Sequence, residues 1–138
     1  MIPTRGERNN NPGNIDRTPV NWQGLNPDQS SDDRFCVFLS PKDGIRALAK
    51  VLINYQVLHH LNTVQDIIER WAPGTENNTA AYVQAVCAGT GLHDDCRISL
   101  HDLDILSALT TAIIRHENGR VIYTTADILS ACMAAIGA

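Results

Sequence analysis

Residues 99–119 read SLHDLDILSALTTAIIRHENG, and this segment determines the predicted fold class. Its apolar side chains recur at the spacing of one helix face: Leu103, Leu106, Leu109, Ile113 and Ile114. Ser99, with Asp102 three positions later, is typical of a capping box, so we expect the helix to begin at Ser99. Asn118–Gly119 is a typical helix end. A buried helix of this kind favours a mainly α domain.

Four further helices are predicted outward from this one. Apolar spacing, caps and breakers predict them after Ser40–Pro41 to about Leu58, from Asn62–Thr63 to Trp71, from Asn78 or Thr79 through Val86, and after Thr124. Residues 1–34 are crowded with turn-forming residues, and the apolar, aromatic run at 34–39 predicts a strand. The fold class is therefore mainly α, with a small N-terminal loop or β lobe.

Composition and charge exclude several classes of protein. The chain has 138 residues, which suits a single domain over 1–138, and its 43% hydrophobic and 19% charged content is that of a soluble globular protein. A net charge of -4 and the lack of a basic run argue against nucleic acid as a partner. The apolar stretches are too short to span a membrane, and the N-terminus lacks the apolar core of a signal peptide.

The cysteines and histidines do not predict a metal site. Cys36, Cys87, Cys96 and Cys132 form no C-x-x-C pair, and no histidine has zinc-finger spacing. Cys87 and Cys96 flank a Gly-containing turn, so a disulfide between them is one interpretation and would suit an oxidising compartment. The alternative is four thiols that pack as small apolar groups. No metal ion or organic cofactor is expected.

Glu117 is the acid whose position points to chemistry. It follows Ile113 by four residues and Leu106 by eleven, so it continues the buried stripe at the helix C-terminus. Partial desolvation and the negative end of the helix both favour the protonated acid, which can protonate a glycosidic oxygen. The alternative, a helix-terminal Glu that points into solvent, is the one that the residues alone favour.

The second candidate is the Asn-rich segment Arg8–Ile15. Its amides offer both donors and acceptors, which suits the hydroxyl and acetamido groups of sugars. Asn side chains also build turns, so a purely structural loop is the stronger interpretation of the residues alone. Trp22 follows shortly after, and it can either stack on a sugar ring or belong to the core.

A run of motifs resembles a family of lysozyme-like phage virion and prophage proteins. The resemblance covers roughly residues 5–119, and it is carried in order by RGERNNNPGNI (5–15), WQGL (22–25), DRF (33–35), SP (40–41), GIRA (44–47), IIERWAP (67–73), EN (76–77), Thr79, Tyr82 and RHENG (115–119). The family implies a lysozyme-like domain.

A fainter resemblance links two of these segments to lytic transglycosylases and autolysin-type glucosaminidases. Ile114–Gly119 is similar to their helix ending in Glu-Ser-Gly, which bears the catalytic acid. Asn10–Ile15 is similar to the Asn-rich loop that follows that helix in the glucosaminidases, with one residue inserted. In this chain the order is rotated, and the resemblance therefore implies a circularly permuted domain.

These resemblances imply cleavage of peptidoglycan glycan strands, of the muramidase or lytic transglycosylase type, with Glu117 as the acid. They imply a substrate-binding set of Asn9, Asn10, Asn11, Asn14, Trp22, Glu76 and Tyr82. A second carboxylate is not obvious, and motif order recommends only Asp33. Without one, the substrate's own 6-hydroxyl would attack and leave an anhydro-sugar.

Two other functions stay open at this point. The first is a non-catalytic virion or secretion-apparatus protein that keeps a sugar-binding cleft. The second is a delivered antibacterial toxin, which would have a companion immunity protein. An enzyme of this kind would act in the periplasm or cell wall of a target bacterium. It would reach that compartment through a phage particle, lysis or a secretion apparatus.

Overall fold

Helices dominate the computed structural model, which describes residues 2–75 and 77–138. In this part of the chain the helices are α1 (Arg5–Arg8), α2 (Pro41–His59), α3 (Val64–Trp71), α4 (Thr79–Thr90), α5 (Leu103–Asn118) and α6 (Thr125–Ile136). The prediction of a mainly α domain is confirmed. None of these helices combines the length and the apolar character needed to cross a membrane.

Most helix starts lie where the caps in the sequence place them. A side-chain oxygen at each N-cap accepts a backbone N–H from the first turn, at Ser40, Thr63, Asn78 and Thr124. Pro41 occupies the first helical position of α2, as predicted. These starts are predictable because the cap and its partner are only a few residues apart.

The predicted start of α5 is wrong by about one turn. Asp102, and not Ser99, is the N-cap, and its carboxylate accepts the N–H groups of Asp104 and Ile105. The preceding residues are held outside the helix by tertiary contacts. The N–H of Leu100 donates to Gln56 Oε1 at 2.7 Å, and the Leu100 side chain is fully buried.

The run at 34–39 makes isolated bridges instead of the predicted strand. Phe35 bridges Asp16 and Phe38 bridges Leu25, and the described residues contain no strand ladder. The backbone N–H groups of this run donate to partners scattered over the N-terminal third. Those of Cys36 and Phe38, for example, reach the carbonyls of Ile15 and Asn9, both at 2.9 Å. No single neighbouring segment is available for a continuous ladder.

Helix α1 lies in a region predicted to be irregular. Thr4 and Glu7 form a capping box around its single turn, with Thr4 Oγ1 accepting from Glu7 N and Glu7 Oε1 accepting from Thr4 N. The Thr-x-x-Glu pattern was the signal in the sequence. Glu7 is buried, and both of its carboxylate oxygens accept hydrogen bonds from Arg120.

The core places the end of α5 beside the N-terminal segment. Helix α2 packs on α6, α5 packs on α4 and α6, and α1 lies against α5. A smaller cluster of Cys36, Phe38 and Ala47 holds the N-terminal third onto α2, with Ile15, Trp22 and Leu25 packed around it. A cleft lies between this N-terminal third and the helices α2, α3 and α5.

Candidate active site

Glu117 lies in the last turn of α5, and both of its carboxylate oxygens are held. Asn14 Nδ2 donates to Oε1 at 3.1 Å, and the Tyr82 hydroxyl donates to Oε2 at 2.8 Å. The helix ends directly after, where Gly119 adopts a left-handed φ of 74° as the C-cap. Glu117 is half-buried and lines the wall of a cleft. Its carboxylate is therefore fixed in direction and open on one side.

Tyr82 lies behind Glu117 as part of a short hydrogen-bond chain. Trp71 Nε1 donates to the Tyr82 oxygen at 3.0 Å, and that hydroxyl donates onward to Glu117. Burial, followed by the charge of Glu117, raises the pKa of Tyr82 well above its usual value, so the phenol remains a donor. Tyr82 is 2% exposed and is not among the residues that line the cleft, so the structure places it beneath the cleft wall and leaves its role in substrate binding a prediction.

Trp71 is a residue that sequence reasoning did not assign to the site. Helical spacing predicts it only as part of a buried stripe. Its indole N–H meets a hydroxyl from the next helix, eleven positions along the chain, and no local pattern announces such a contact. Its ring also lines the cleft.

The N-terminal loop and the end of α5 are clamped together by Asn118. Asn118 Nδ2 donates to the carbonyl of Pro12 at 2.8 Å, and its Oδ1 accepts the Thr4 hydroxyl at 2.7 Å. Asn14 follows with a positive φ of 50°, a conformation that Asn tolerates, and reaches Glu117. The loop and the acid, about a hundred residues apart in sequence, thus meet as predicted.

Asn9, Asn10 and Asn11, predicted to bind substrate, do not line the cleft, and that role stays a prediction. Asn9 Nδ2 donates to Asp32, Asn10 Nδ2 to the Phe38 carbonyl, and Asn11 Nδ2 to the Ile15 and Cys36 carbonyls. Asn9 and Asn11 are buried. The three amides satisfy the backbone of an irregular segment, which is the structural alternative that the residues alone favoured.

Asp33, the predicted partner of Glu117, occupies an exposed position. Its side chain is 97% exposed, contacts Arg5 at 3.2 Å, and does not line the cleft. The neighbouring Asp32 is the buried one. Its carboxylate accepts from the Arg5 guanidinium, which, with backbone and Asn9 donors, holds the pKa of Asp32 far below its usual range. Asp32 is thus a structural anchor beneath the loop.

The cleft has a volume of about 310 Å³ and mixes aromatic with polar walls. The aromatic side chains on its walls are Trp22, Phe35, Tyr55 and Trp71. Trp22 therefore lies where a sugar ring could stack, as one interpretation of the sequence had it. Glu76 lies outside the described residues, although its neighbour Asn77 lines the cleft.

Asp16 is the second acid on the cleft wall, and sequence reasoning missed it. Among the described residues, Glu117 and Asp16 are the carboxylates that line the cleft. Asp16 Oδ1 accepts from Arg34 Nε at 2.9 Å, with half of each side chain exposed. Its one signal was its position directly after the Asn-rich loop.

The predicted Cys87–Cys96 bridge is absent, and all four thiols are free. Cys87 is half-buried on α4, whereas Cys96 is exposed in the turn after it and directs its thiol at the Arg97 carbonyl. Across residues 2–75 and 77–138, no group of three or more His, Cys, Asp or Glu side chains is placed to hold a metal ion.

Comparison with known proteins identifies a relative of this chain. No protein-family model matches the sequence. The chain is 38% identical to Protein P5 of Pseudoalteromonas phage PM2 in an alignment 137 residues long, and the alignment covers 93% of this chain and 83% of that protein. A similarity of this extent is that of homologues. The chain belongs to the same family as Protein P5 of that bacteriophage.

Proposed function

We propose that this protein cleaves the glycan strands of bacterial peptidoglycan, with Glu117 as general acid and then base. The observation that carries the proposal is a carboxylate on a cleft wall whose two oxygens are fixed by donors from separate segments. General acid–base catalysis requires a group held in one direction toward the reacting atom. A helix-terminal Glu in solvent, the rival interpretation, would have no such contacts.

The walls of the cleft are suited to a sugar substrate. Aromatic faces such as Trp22 and Tyr55 offer flat apolar surfaces for pyranose rings, while Thr18 and Asn77 offer hydrogen bonds to hydroxyl or acetamido groups. An open groove with this mixture of groups fits a polymer strand that passes through it.

We infer a lysozyme-like domain that is circularly permuted relative to the transglycosylases and glucosaminidases. In the glucosaminidases the Asn-rich loop follows the acid-bearing helix along the chain. Here the loop contacts the end of that helix, through Asn118 to Pro12 and Asn14 to Glu117. A permutation keeps such contacts while it changes the order of the segments.

For the mechanism we propose a single carboxylate. Asp33 faces solvent, and Asp16 is already paired with Arg34. Glu117 would donate its proton to the glycosidic oxygen as the bond breaks, and would then take the proton of the substrate's 6-hydroxyl. That oxygen would close onto the anomeric carbon and leave a 1,6-anhydro-sugar, with no water consumed.

Membership of a phage protein family is compatible with either an enzyme or a non-catalytic virion protein. The chain of hydrogen bonds from Trp71 through Tyr82 to Glu117 favours the enzyme. Recognition of a neutral sugar does not require a second layer of residues that orients one carboxylate. As an enzyme, the protein would act at the cell wall after delivery by a phage particle, by lysis or by a secretion apparatus.

Mass spectrometry of the muropeptides released from purified sacculi tests both the function and the mechanism. We expect anhydro-muropeptides from the wild type, and the same products at similar rates from Asp33→Asn. Two results together would contradict the single-carboxylate mechanism: the wild type releases products with reducing ends, and Asp16→Asn is inactive. They would identify Asp16 as the partner of a two-carboxylate hydrolase. Sacculi left intact by the wild type would contradict the function itself.

A further inference from the structure

A second groove continues from the cleft along α2. Trp22, Val51 and Tyr55 line both depressions, so the groove and the cleft share a wall. The groove has a volume of about 500 Å³, larger than the cleft itself. A substrate seated at Glu117 could therefore reach the groove by passing over the side chains of Trp22, Val51 and Tyr55.

The charge of this groove is opposite to that of the protein. The chain as a whole carries -4, yet Arg46, Lys50 and His59 line the groove and no carboxylate of the described residues does. Arg46 and Lys50 are four positions apart on α2, a spacing at which like charges repel each other. Two cations at this spacing act against helix stability, which is consistent with a role for them in binding an anion.

Both cations are available for an incoming group. Within residues 2–75 and 77–138, neither Arg46 nor Lys50 is paired with a carboxylate side chain. Lys50 Nζ donates to the main-chain oxygen of Ala138 at 3.1 Å, which leaves two of its three donors free. A guanidinium and an ammonium with free donors form strong hydrogen bonds to carboxylates.

We propose that this groove binds the acidic peptide attached to the glycan, so that the protein recognises peptide-bearing strands. The inference rests on the proposed cleavage of peptidoglycan. In that polymer, alternate sugars carry a short peptide that has free carboxylates. A sugar at Glu117 brings its peptide to the shared wall of Trp22 and Tyr55, and the carboxylates then meet Arg46 and Lys50.

Calorimetric binding of two soluble probes tests the proposal without relying on catalysis. The probes are a disaccharide-tetrapeptide from peptidoglycan and the same disaccharide with its peptide removed. We expect the wild type to bind the peptide-bearing probe more tightly, on the order of tenfold, because charge-assisted hydrogen bonds are added. That preference is expected to shrink as salt is raised.

The double variant Arg46→Gln/Lys50→Gln is expected to lose the preference while it keeps the affinity for the bare disaccharide. Lys42→Gln/Arg97→Gln is the matched control, because it removes the same charge at exposed positions outside the groove. Circular dichroism checks both folds. Should the first variant unfold, the salt dependence of the wild-type preference still decides the question.

Equal affinity for the two probes, a preference unchanged in the groove variant, or no binding of either probe would overturn the inference. A parallel digestion of sacculi separates this failure from that of the proposed function. Cleavage without a peptide preference would contradict peptide binding by the groove and leave the proposed function intact. A peptide preference without cleavage would contradict the proposed enzymatic function and leave the groove as a binding site.

Discussion

For single residues, the geometry of the site depends on hydrogen bonds between polar side chains. The hydroxyl of Tyr82 is the link between Trp71 and Glu117, and the amide of Asn14 holds the other carboxylate oxygen. Such contacts fix the direction of Glu117 before any substrate arrives. They also make the site sensitive to the loss of a single atom.

Tyr82→Phe removes that hydroxyl and keeps the ring in the core. We expect glycan cleavage to fall by roughly 10- to 100-fold, because a hydrogen bond to a charged group contributes about 1.5–3 kcal/mol. Tyr123→Phe is the control, because the Tyr123 hydroxyl is buried without a partner and lies outside the cleft. Equal rates for the two variants would contradict the positioning role.

Asp32 links the stability of the fold to pH. The Arg5 guanidinium, with backbone and Asn9 donors, lowers the pKa of the Asp32 carboxyl in the folded state. Unfolded Asp titrates near 4, so this contribution to stability is complete above about pH 5 and is lost as the pH falls below that value. Urea unfolding at pH 6 and pH 3 measures it.

We expect Asp32→Asn to be less stable than wild type at pH 6 and to lose less of its free energy of unfolding at pH 3. Asp33→Asn is the matched control at the next position, because its side chain is 97% exposed. Glu7, whose pKa is lowered mainly by its hydrogen bonds from Arg120, retains part of the acid sensitivity in both variants. Identical pH profiles for the two variants would contradict this account.

At the scale of elements, the site depends on how closely the N-terminal loop approaches α2. An added Cβ at Gly44, in the first turn of α2, would lie 1.7 Å from the Asn10 carbonyl oxygen. Only glycine allows this contact, because the obstacle is backbone and cannot rotate away. The same loop carries Asn14 to Glu117, so the packing of α2 sets the geometry of the acid.

Gly44→Ala is therefore expected to destabilise the protein by about 1–3 kcal/mol or more, as overpacking does. Gly89→Ala is the matched control on α4, where the nearest atom to an added Cβ is 3.5 Å away. The control should be neutral or more stable by up to about 1 kcal/mol, because Ala is the better helix former. Urea unfolding midpoints compare the two. Equal stabilities would show that the loop does not need this close approach.

At the scale of the whole molecule, the sequence predicted what depends on local pattern. The helices α2 to α6 and four of their N-caps follow from apolar spacing and from Ser, Thr and Asn at the boundaries. It misplaced the start of α5 because Leu100 is held by a residue far away in sequence, Gln56. It predicted a strand at 34–39 from an apolar, aromatic run. That prediction failed because such a run does not reveal which segments supply the partners for the backbone hydrogen bonds.

The candidate site was predictable only in part, for the same reason. The contact between the acid and the loop was predicted, because Glu117 continues a buried stripe and because the order of the motifs implies a permuted domain. The residues alone favoured the structural contacts that Asn9, Asn10 and Asn11 make, whereas the resemblance implied substrate binding, because an amide can bind a sugar or a carbonyl equally well. Asp16 and Trp71 gain their positions from long-range packing, which a single sequence does not reveal.

If Glu117 is the group that cleaves the glycan, its loss abolishes the release of muropeptides. Release of soluble muropeptides from purified sacculi is compared between wild type, Glu117→Gln and Glu69→Gln, an exposed Glu on α3. The account predicts that Glu117→Gln folds normally and loses activity by a factor on the order of 10² to 10⁴, as removal of a general acid does. It predicts wild-type activity for Glu69→Gln. A folded Glu117→Gln protein that releases muropeptides at the wild-type rate would contradict the account.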